Sequence, residues 1–257
     1  MPTGLVRRLS TCGRVGVDVR AGCRSVMIDL VMSRAGTFAY LQGELLAPNG
    51  PGLDRLRLVE APLVPEVRLH LAQDAIVWWA RMEAEVGAVL TAPFWATAWA
   101  GGQALARYVL DRPATVAGRR VLDVGSGSGL VAIAAGLAGA AAVTANDVDP
   151  YALSAITLNA RANGVAVSPY PGDLLDGDGD GADVVLAGDV FYSEAIAKRM
   201  GPFLHRAAAR GAQVLVGDPG RAHLPRARMT IMASYPAPAP AAPTEPQISR
   251  ISVLQPR

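Results

Sequence analysis

A chain of 257 residues, 51% hydrophobic and 18% charged with a positive mean hydropathy, can bury a large core in one or two domains and is no disordered polyelectrolyte. Its 24 basic and 22 acidic residues leave a net charge of +2, too little to mark a nucleic-acid surface. Cys12 and Cys23 are the only cysteines, so neither a disulfide scaffold nor a zinc cluster is supported.

No apolar run reaches the ~18 residues of a membrane span, and the N-terminal stretch Ser25–Met32 is broken by Asp29. All basic residues but Lys198 are arginine, and Ala, Gly and Pro abound, a usage typical of GC-rich bacterial coding. The expectation is a soluble cytoplasmic bacterial protein. The first 25 residues carry arginines and a single acid, Asp18, which makes a mitochondrial transit peptide the alternative, and a start at Met27 or Met32 would leave residues 1–31 outside the native protein. The sequence is silent on oligomeric state.

Residues 1–66 show little sustained period and contain the breaker cluster Pro48-Asn49-Gly50-Pro51-Gly52, so they are expected to form a loosely packed extension. Leu69, Ala72, Ile76, Trp79 and Val86 follow helical spacing and predict a helix from Leu69 to Val86. A second helix is expected from Gly101 to Leu110, stopped by Pro113.

Next, β-rich and helical runs alternate: strands at Arg120–Val124, Ala142–Asn146, Val165–Tyr170, Asp183–Ala187 and Gln213–Val216, and helices at Gly129–Gly139, Pro150–Asn163 and Ser193–Arg210. This is the pattern of an α/β fold, a parallel sheet with helices on both faces. Asp149 and Pro150 read as N-cap and first residue of a helix that Gly164 ends, while Ile196, Met200, Phe203, Leu204 and Ala207 form one apolar stripe. The main domain is placed at 67–234. From Tyr235 a Pro/Ala-rich segment reads as a linker or an edge strand spoiled by proline, and Ile248–Leu254 as a final strand, so 235–257 completes the same domain.

The strongest motif is Val121-Leu122-Asp123-Val124-Gly125-Ser126-Gly127-Ser128-Gly129-Leu130, a strand ending in an acid, a glycine turn and an immediate helix. Glycines let backbone approach a ligand, and the helix turns its unpaired N–H groups toward it. A dinucleotide fingerprint needs Gly or Ala at the sixth position from Gly125, where Leu130 stands. The next strand delivers Asp147, 22 residues after Gly125, where an acid can accept both ribose hydroxyls. Gly172-Asp173-Leu174 follows the third strand, and Asp189-Val190-Phe191-Tyr192 the fourth.

The first of these runs resembles motif I of the class I S-adenosylmethionine-dependent methyltransferases. The resemblance implies a Rossmann-like seven-stranded sheet with an antiparallel last strand and an N-terminal helical cover. It also implies that Asp123 and the turn Gly125, Ser126, Gly127 and Gly129 hold the methionine part of S-adenosylmethionine, Asp147 the ribose and Asp173 the adenine amino group. Asp189-Val190-Phe191-Tyr192 resembles the acid-x-x-aromatic motif of seven-β-strand protein lysine methyltransferases.

Three runs narrow the likeness: Pro93-Phe94-Trp95-Ala96-Thr97-Ala98-Trp99-Ala100-Gly101-Gly102-Gln103-Ala104-Leu105, Leu186-Ala187-Gly188-Asp189-Val190-Phe191-Tyr192 and Leu215-Val216-Gly217-Asp218-Pro219-Gly220-Arg221. Over about Leu63 to Ala227 they resemble the electron-transfer-flavoprotein β-subunit lysine methyltransferases and their bacterial relatives, often labelled nicotinamide N-methylase-like or ribosomal-protein L11 methyltransferase-like. The resemblance implies N-methylation of a lysine on a partner protein such as the electron transfer flavoprotein β-subunit. Asp189 then orients the amine and Tyr192 shapes its channel, with Trp99 and Gln103 near the cofactor and Trp95 a candidate wall. The alternatives are a small-molecule, nicotinamide-like amine acceptor and a non-catalytic nucleoside-binding module.

No metal is expected. Asp176-Gly177-Asp178-Gly179-Asp180-Gly181 begins like a calcium loop, but Ala187 stands at the twelfth position, and His70, His205 and His223 have no ligand spacing. His70 and His205 are expected on helices. Asp218 and Arg221 read equally as substrate contacts or as a local ion pair.

Overall fold

The structure, a computed structural model, describes residues 34–46, 52–179, 181–237 and 249–257. The expectations for Cys12, Cys23, the N-terminal 25 residues, Asp180 and most of the Pro/Ala segment lie outside the described residues.

Helix α1 (Arg34–Leu46) leads to a hairpin of β1 (Leu56–Ala61) and β2 (Val64–Ala72), then to α2 (Ala75–Val86). The helix expected from Leu69 is thus half strand. Val67, Leu69 and Leu71 alternate with polar neighbours at period two, and the 3.6 spacing takes over only where the Asp74 carboxylate accepts the N–H groups of Ile76 and Val77 and so sets the first turn. His70 accordingly lies on β2, where its backbone N–H donates to Asn159 Oδ1. Nor is the described part of 1–66 loosely packed, since Leu41, Ala61 and Val64 are fully buried. Arg81 ties α2 to α1 through Glu44 and to Asp54 before the hairpin.

The body follows the expected order: α3 (Ala100–Asp111), β3 (Arg120–Val124), α4 (Leu130–Leu137), β4 (Ala142–Asp147), α5 (Pro150–Ala162), β5 (Ser168–Pro171), β6 (Val184–Gly188), α6 (Glu194–Ala209) and β7 (Gln213–Asp218). Asp149 caps α5 by accepting the Tyr151 N–H, as its sequence context requires. Strand β5 starts three residues later than expected because the Val165 N–H closes the end of α5 on Ala160 instead of joining the ladder.

Two further strands, β8 (Met229–Pro236) and β9 (Arg250–Pro256), give a seven-stranded sheet of order β5-β4-β3-β6-β7-β9-β8. The first five are parallel neighbours, and β9 runs antiparallel between β7 and β8. Sequence period does not point to β8: its register shifts between Ile231 and Ala233, and its alternation is blurred because it forms the sheet edge. Pro236 ends it, consistent with proline being tolerated at an edge.

Helices α3, α4 and α5 cover one face of the sheet, with the hairpin laid across them, and α6 covers the other. A third cluster, built on Leu41, Trp78, Met82, Trp95 and Tyr151, joins α1 and α2 to the start of α5. The chain leaves β3 toward β4 on one side and returns to β6 on the other, so the switch point, and with it the ligand crevice, lies at the carboxyl ends of these strands. No described helix is long and apolar enough to cross a membrane.

Candidate active site

At the end of β3 the chain turns through Gly125, Gly127 and Gly129 at φ of +65°, +55° and +84°, a region costly for any residue with a Cβ. A Cβ on Gly129 would also press to 3.3 Å from the Ile156 backbone of α5. Asp123 lies buried beneath the turn, where it accepts the Ser126 hydroxyl at 2.5 Å and the Ala132 N–H of α4 at 3.1 Å. Burial outweighs both donors and pushes its carboxyl up to about 7.

Asp147 ends β4 beside the turn. Its carboxylate accepts the N–H groups of Gly127 at 2.9 Å and Asp149 at 3.0 Å, and burial again raises its pKa. The Asn146 amide donates to the carbonyls of Tyr170 and Gly172, which holds the β5 loop against this edge. Asp173 lies on that loop but is exposed, its carboxylate taken by Arg199 at 2.5 Å and the Leu175 N–H at 2.9 Å; Arg199 holds it below the usual carboxylate range.

The second half of the edge is where α3 begins against the ends of β6 and β7. The contact is backbone on backbone: a Cβ on Gly217 would lie 2.0 Å from the Gly101 carbonyl oxygen, one on Gly101 2.3 Å from that of Gly217, and one on Gly188 2.8 Å from Gly102 Cα. Here glycine is required by space. The reward is Asp189, only 6% exposed, at φ +58°, the sole non-glycine residue with positive φ among those described. Its N–H donates to the Gly217 carbonyl, Oδ2 accepts the Gly102 N–H at 2.8 Å and Oδ1 accepts Arg221 Nη2 at 2.8 Å. Burial raises its pKa, with Arg221 and the Gly102 N–H opposing.

Three aromatic rings form a group joined to Asp189 through Arg221, whose guanidinium lies over the Trp99 ring. Phe94 lies 6.1 Å from Trp99 and 5.9 Å from Tyr192 between ring centroids, and Trp99 Nε1 donates to the Phe94 carbonyl. Trp99 is 40% exposed, Phe94 and Tyr192 each 53%, so the mouth they form is open. Trp95, Trp99 and Tyr192 are the expected wall, and Phe94 takes the place of Trp95 in it.

Two expectations are corrected. Trp95 is core, edge-on to Trp78 at 5.2 Å and stacked on Tyr151 at 6.4 Å. Gln103 is buried and tied to protein at both ends: its amide donates to the Ala98 carbonyl and its oxygen accepts the Leu63 N–H, which fastens the hairpin to the start of α3. The matched endings Leu186-Ala187-Gly188-Asp189 and Leu215-Val216-Gly217-Asp218 are the sequence signal that could have found the glycine seam.

Residues 103–191 match the family model of ribosomal protein L11 methyltransferase (PrmA). The chain is 43% identical over 173 residues to the electron transfer flavoprotein beta subunit lysine methyltransferase of Danio rerio, covering 66% of each chain. It is 40% identical over 187 residues to that of Mus musculus, covering 69% of this chain and 71% of the relative. The match therefore spans about two thirds of these relatives' length. Among solved structures, a ribosomal protein L11 methylase from Lactobacillus delbrueckii subsp. bulgaricus is 25% identical with a TM-score of 0.44, over 61% of this chain and 78% of that one.

The sheet order, the glycine turn after β3 and the acid after β4 define an S-adenosylmethionine-dependent methyltransferase. The residues present fit that cofactor: the turn offers a surface without side chains at Gly125 and Gly127, and Asp147 sets a carboxylate beside it. Within that class the chain belongs to the electron transfer flavoprotein beta subunit lysine methyltransferase family.

Proposed function

We propose that the protein N-methylates a lysine side chain on a partner protein, with the electron transfer flavoprotein β-subunit as the first candidate. The observation that carries this reading is a buried carboxylate, Asp189, linked through Arg221 to the open aromatic mouth of Phe94, Trp99 and Tyr192, since the Arg221 guanidinium pairs with Asp189 and lies over the Trp99 ring. A long, narrow side chain presented by a large surface suits such a mouth, whereas a free small amine is better held in an enclosed pocket. The relatives' names support the same acceptor.

When bound, S-adenosylmethionine would supply a sulfonium methyl group to an amine, the C–S bond being exchanged for an N–C bond and the amine releasing a proton. The protein's share is positioning and the exclusion of water, worth up to ~7–11 kcal/mol in well-aligned systems. In our assignment Asp147 holds the ribose, Asp123 and Ser126 brace the glycine turn against the methionine part, and Asp173 takes the adenine amino group in exchange for Arg199. Asp189 accepts an amine N–H and points the lone pair, while Tyr192 and Trp99 wall the aliphatic stem. Lysine ordinarily ionises near ~10.4, and desolvation in the mouth favours the neutral amine that reacts.

The test is incubation of pure protein with radiolabelled S-adenosylmethionine and a cell extract, separating labelled protein from labelled small molecules. Label on a protein lysine supports the proposal. Label confined to small molecules points to the small-amine acceptor, and cofactor binding without any label points to a non-catalytic module.

A further inference from the structure

The acceptor mouth contains a cation of its own. Arg221 follows β7, and three separate contacts fix it. Its main-chain N–H donates to Asp218 Oδ1 at 2.8 Å, beside that of Gly220 at 2.6 Å; Nη2 donates to Asp189; and Cζ lies 5.7 Å from the centroid of the Trp99 ring. The ion pair is sheltered, with side-chain exposures of 27% for Arg221 and 7% for Asp189. Two buried atoms of the cluster, Asp218 Oδ2 and Arg221 Nε, have no hydrogen-bond partner. A purely structural cluster would have little reason to bear that cost.

The charged groups acting on Asp189 are Arg221 and Asp218, with Arg226 acting on Asp218 and Asp147 acting on Tyr192. From α3 Asp189 receives the Gly102 N–H. An unpaired carboxylate at this point would bind an ammonium best and would hold the proton on it, trapping the acceptor in the form that cannot attack. Paired with a guanidinium, the same carboxylate still offers lone pairs to an amine N–H but gives an ammonium little net attraction.

Resting on the lysine-methylation reading above, we propose that Arg221 is a positioning residue that keeps Asp189 an ion-paired carboxylate and thereby makes the mouth selective for the uncharged form of the incoming amine. It gives up affinity for the bound substrate in exchange for rate, since only interactions stronger at the transition state raise turnover.

The experiment is the pH dependence of kcat and KM for the native enzyme, Arg221→Gln and Arg221→Lys, with purified electron transfer flavoprotein as acceptor. Arg221→Gln is expected to lower KM, to lower kcat most at neutral pH, and to move the rising limb of kcat to higher pH by about one unit or more, the usual effect of removing an adjacent opposite charge. Arg221→Lys keeps the charge and is expected to keep the limb in place, which separates charge from folding defects. Equal, pH-independent losses in both variants would overturn the proposal.

A second readout needs no acceptor. In carbon-13 aspartate spectra the Asp189 carboxyl is expected to titrate at higher pH in Arg221→Gln than in the native protein, and an unmoved midpoint would overturn the proposal. Absence of methyl transfer by the native enzyme would instead count against the lysine reading, leaving these spectra to decide the role of Arg221.

Discussion

At the ends of β3 and β4 the ligand edge is built from one contiguous turn and the acid of the next strand, whereas at the ends of β6 and β7 it is assembled from three segments distant in the chain. The first half needs glycine for its dihedral angles: Gly125, Gly127 and Gly129 all lie at positive φ. The second needs glycine for space, since Gly101, Gly188 and Gly217 let two strand ends and a helix start meet backbone to backbone. In our proposed assignment the cofactor half is a local motif, and the acceptor half is a product of tertiary packing. A change in the first should act on cofactor affinity, and one in the second on acceptor turnover or on the fold.

The largest effect is expected at the seam. Gly217→Ala places a Cβ 2.0 Å from a carbonyl oxygen that no rotamer can relieve, so α3 must move. We expect a loss of about 3 kcal/mol, the upper range for overpacking, or roughly 10 °C in thermal midpoint for a chain of this size. An unaltered melting curve would mean that the two backbones are not in contact.

Asp189→Asn should come next. Asn tolerates positive φ, so the turn should survive while the carboxylate is lost. Turnover is expected to fall by about a hundredfold or more, the usual range for a group assisting proton movement, while calorimetry finds cofactor affinity unchanged. Equal losses in both quantities would erase the distinction between the two halves.

Asp147→Ala should give the reverse pattern. Cofactor dissociation constants should rise by about thirtyfold, equivalent to ~2 kcal/mol for charge-assisted hydrogen bonds. Turnover at saturating cofactor is expected to stay close to native, and unchanged affinity would refute the ribose assignment.

The mildest prediction is a slope. Asp123 ionises near 3.8 when exposed and at about 7 when folded, so between these values the folded state carries the extra proton. Stability from this group therefore falls as pH rises from about 4 to about 7 and is level beyond. Asp123→Asn removes that contribution, so its melting midpoint should gain on the native protein through this window. Parallel curves would show that Asp123 is ionised throughout.

This contrast also explains what could be read in advance. The glycine turn, Asp147 and the Asp149 cap are legible because their causes lie within a few residues of chain. The hairpin strand at Leu69 was hidden because its apolar residues satisfy periods of two and of 3.6 together until Asp74 resets the chain. Strand β8 lacked the alternation that burial on one face imposes. Gln103 stands in a run that resembles the family's, yet its amide holds the hairpin, because a buried amide takes whichever backbone groups packing leaves unpaired. The pairing of Asp189 with Arg221 crosses 32 positions and no local pattern announces it.

The most direct test of the central claim is intact and peptide mass spectrometry of purified electron transfer flavoprotein after incubation with the native protein and S-adenosylmethionine, alongside Asp189→Asn. We expect methyl increments on lysine of the β-subunit with the native protein and almost none with the variant. An unmodified β-subunit, with cofactor binding intact by calorimetry, would contradict it.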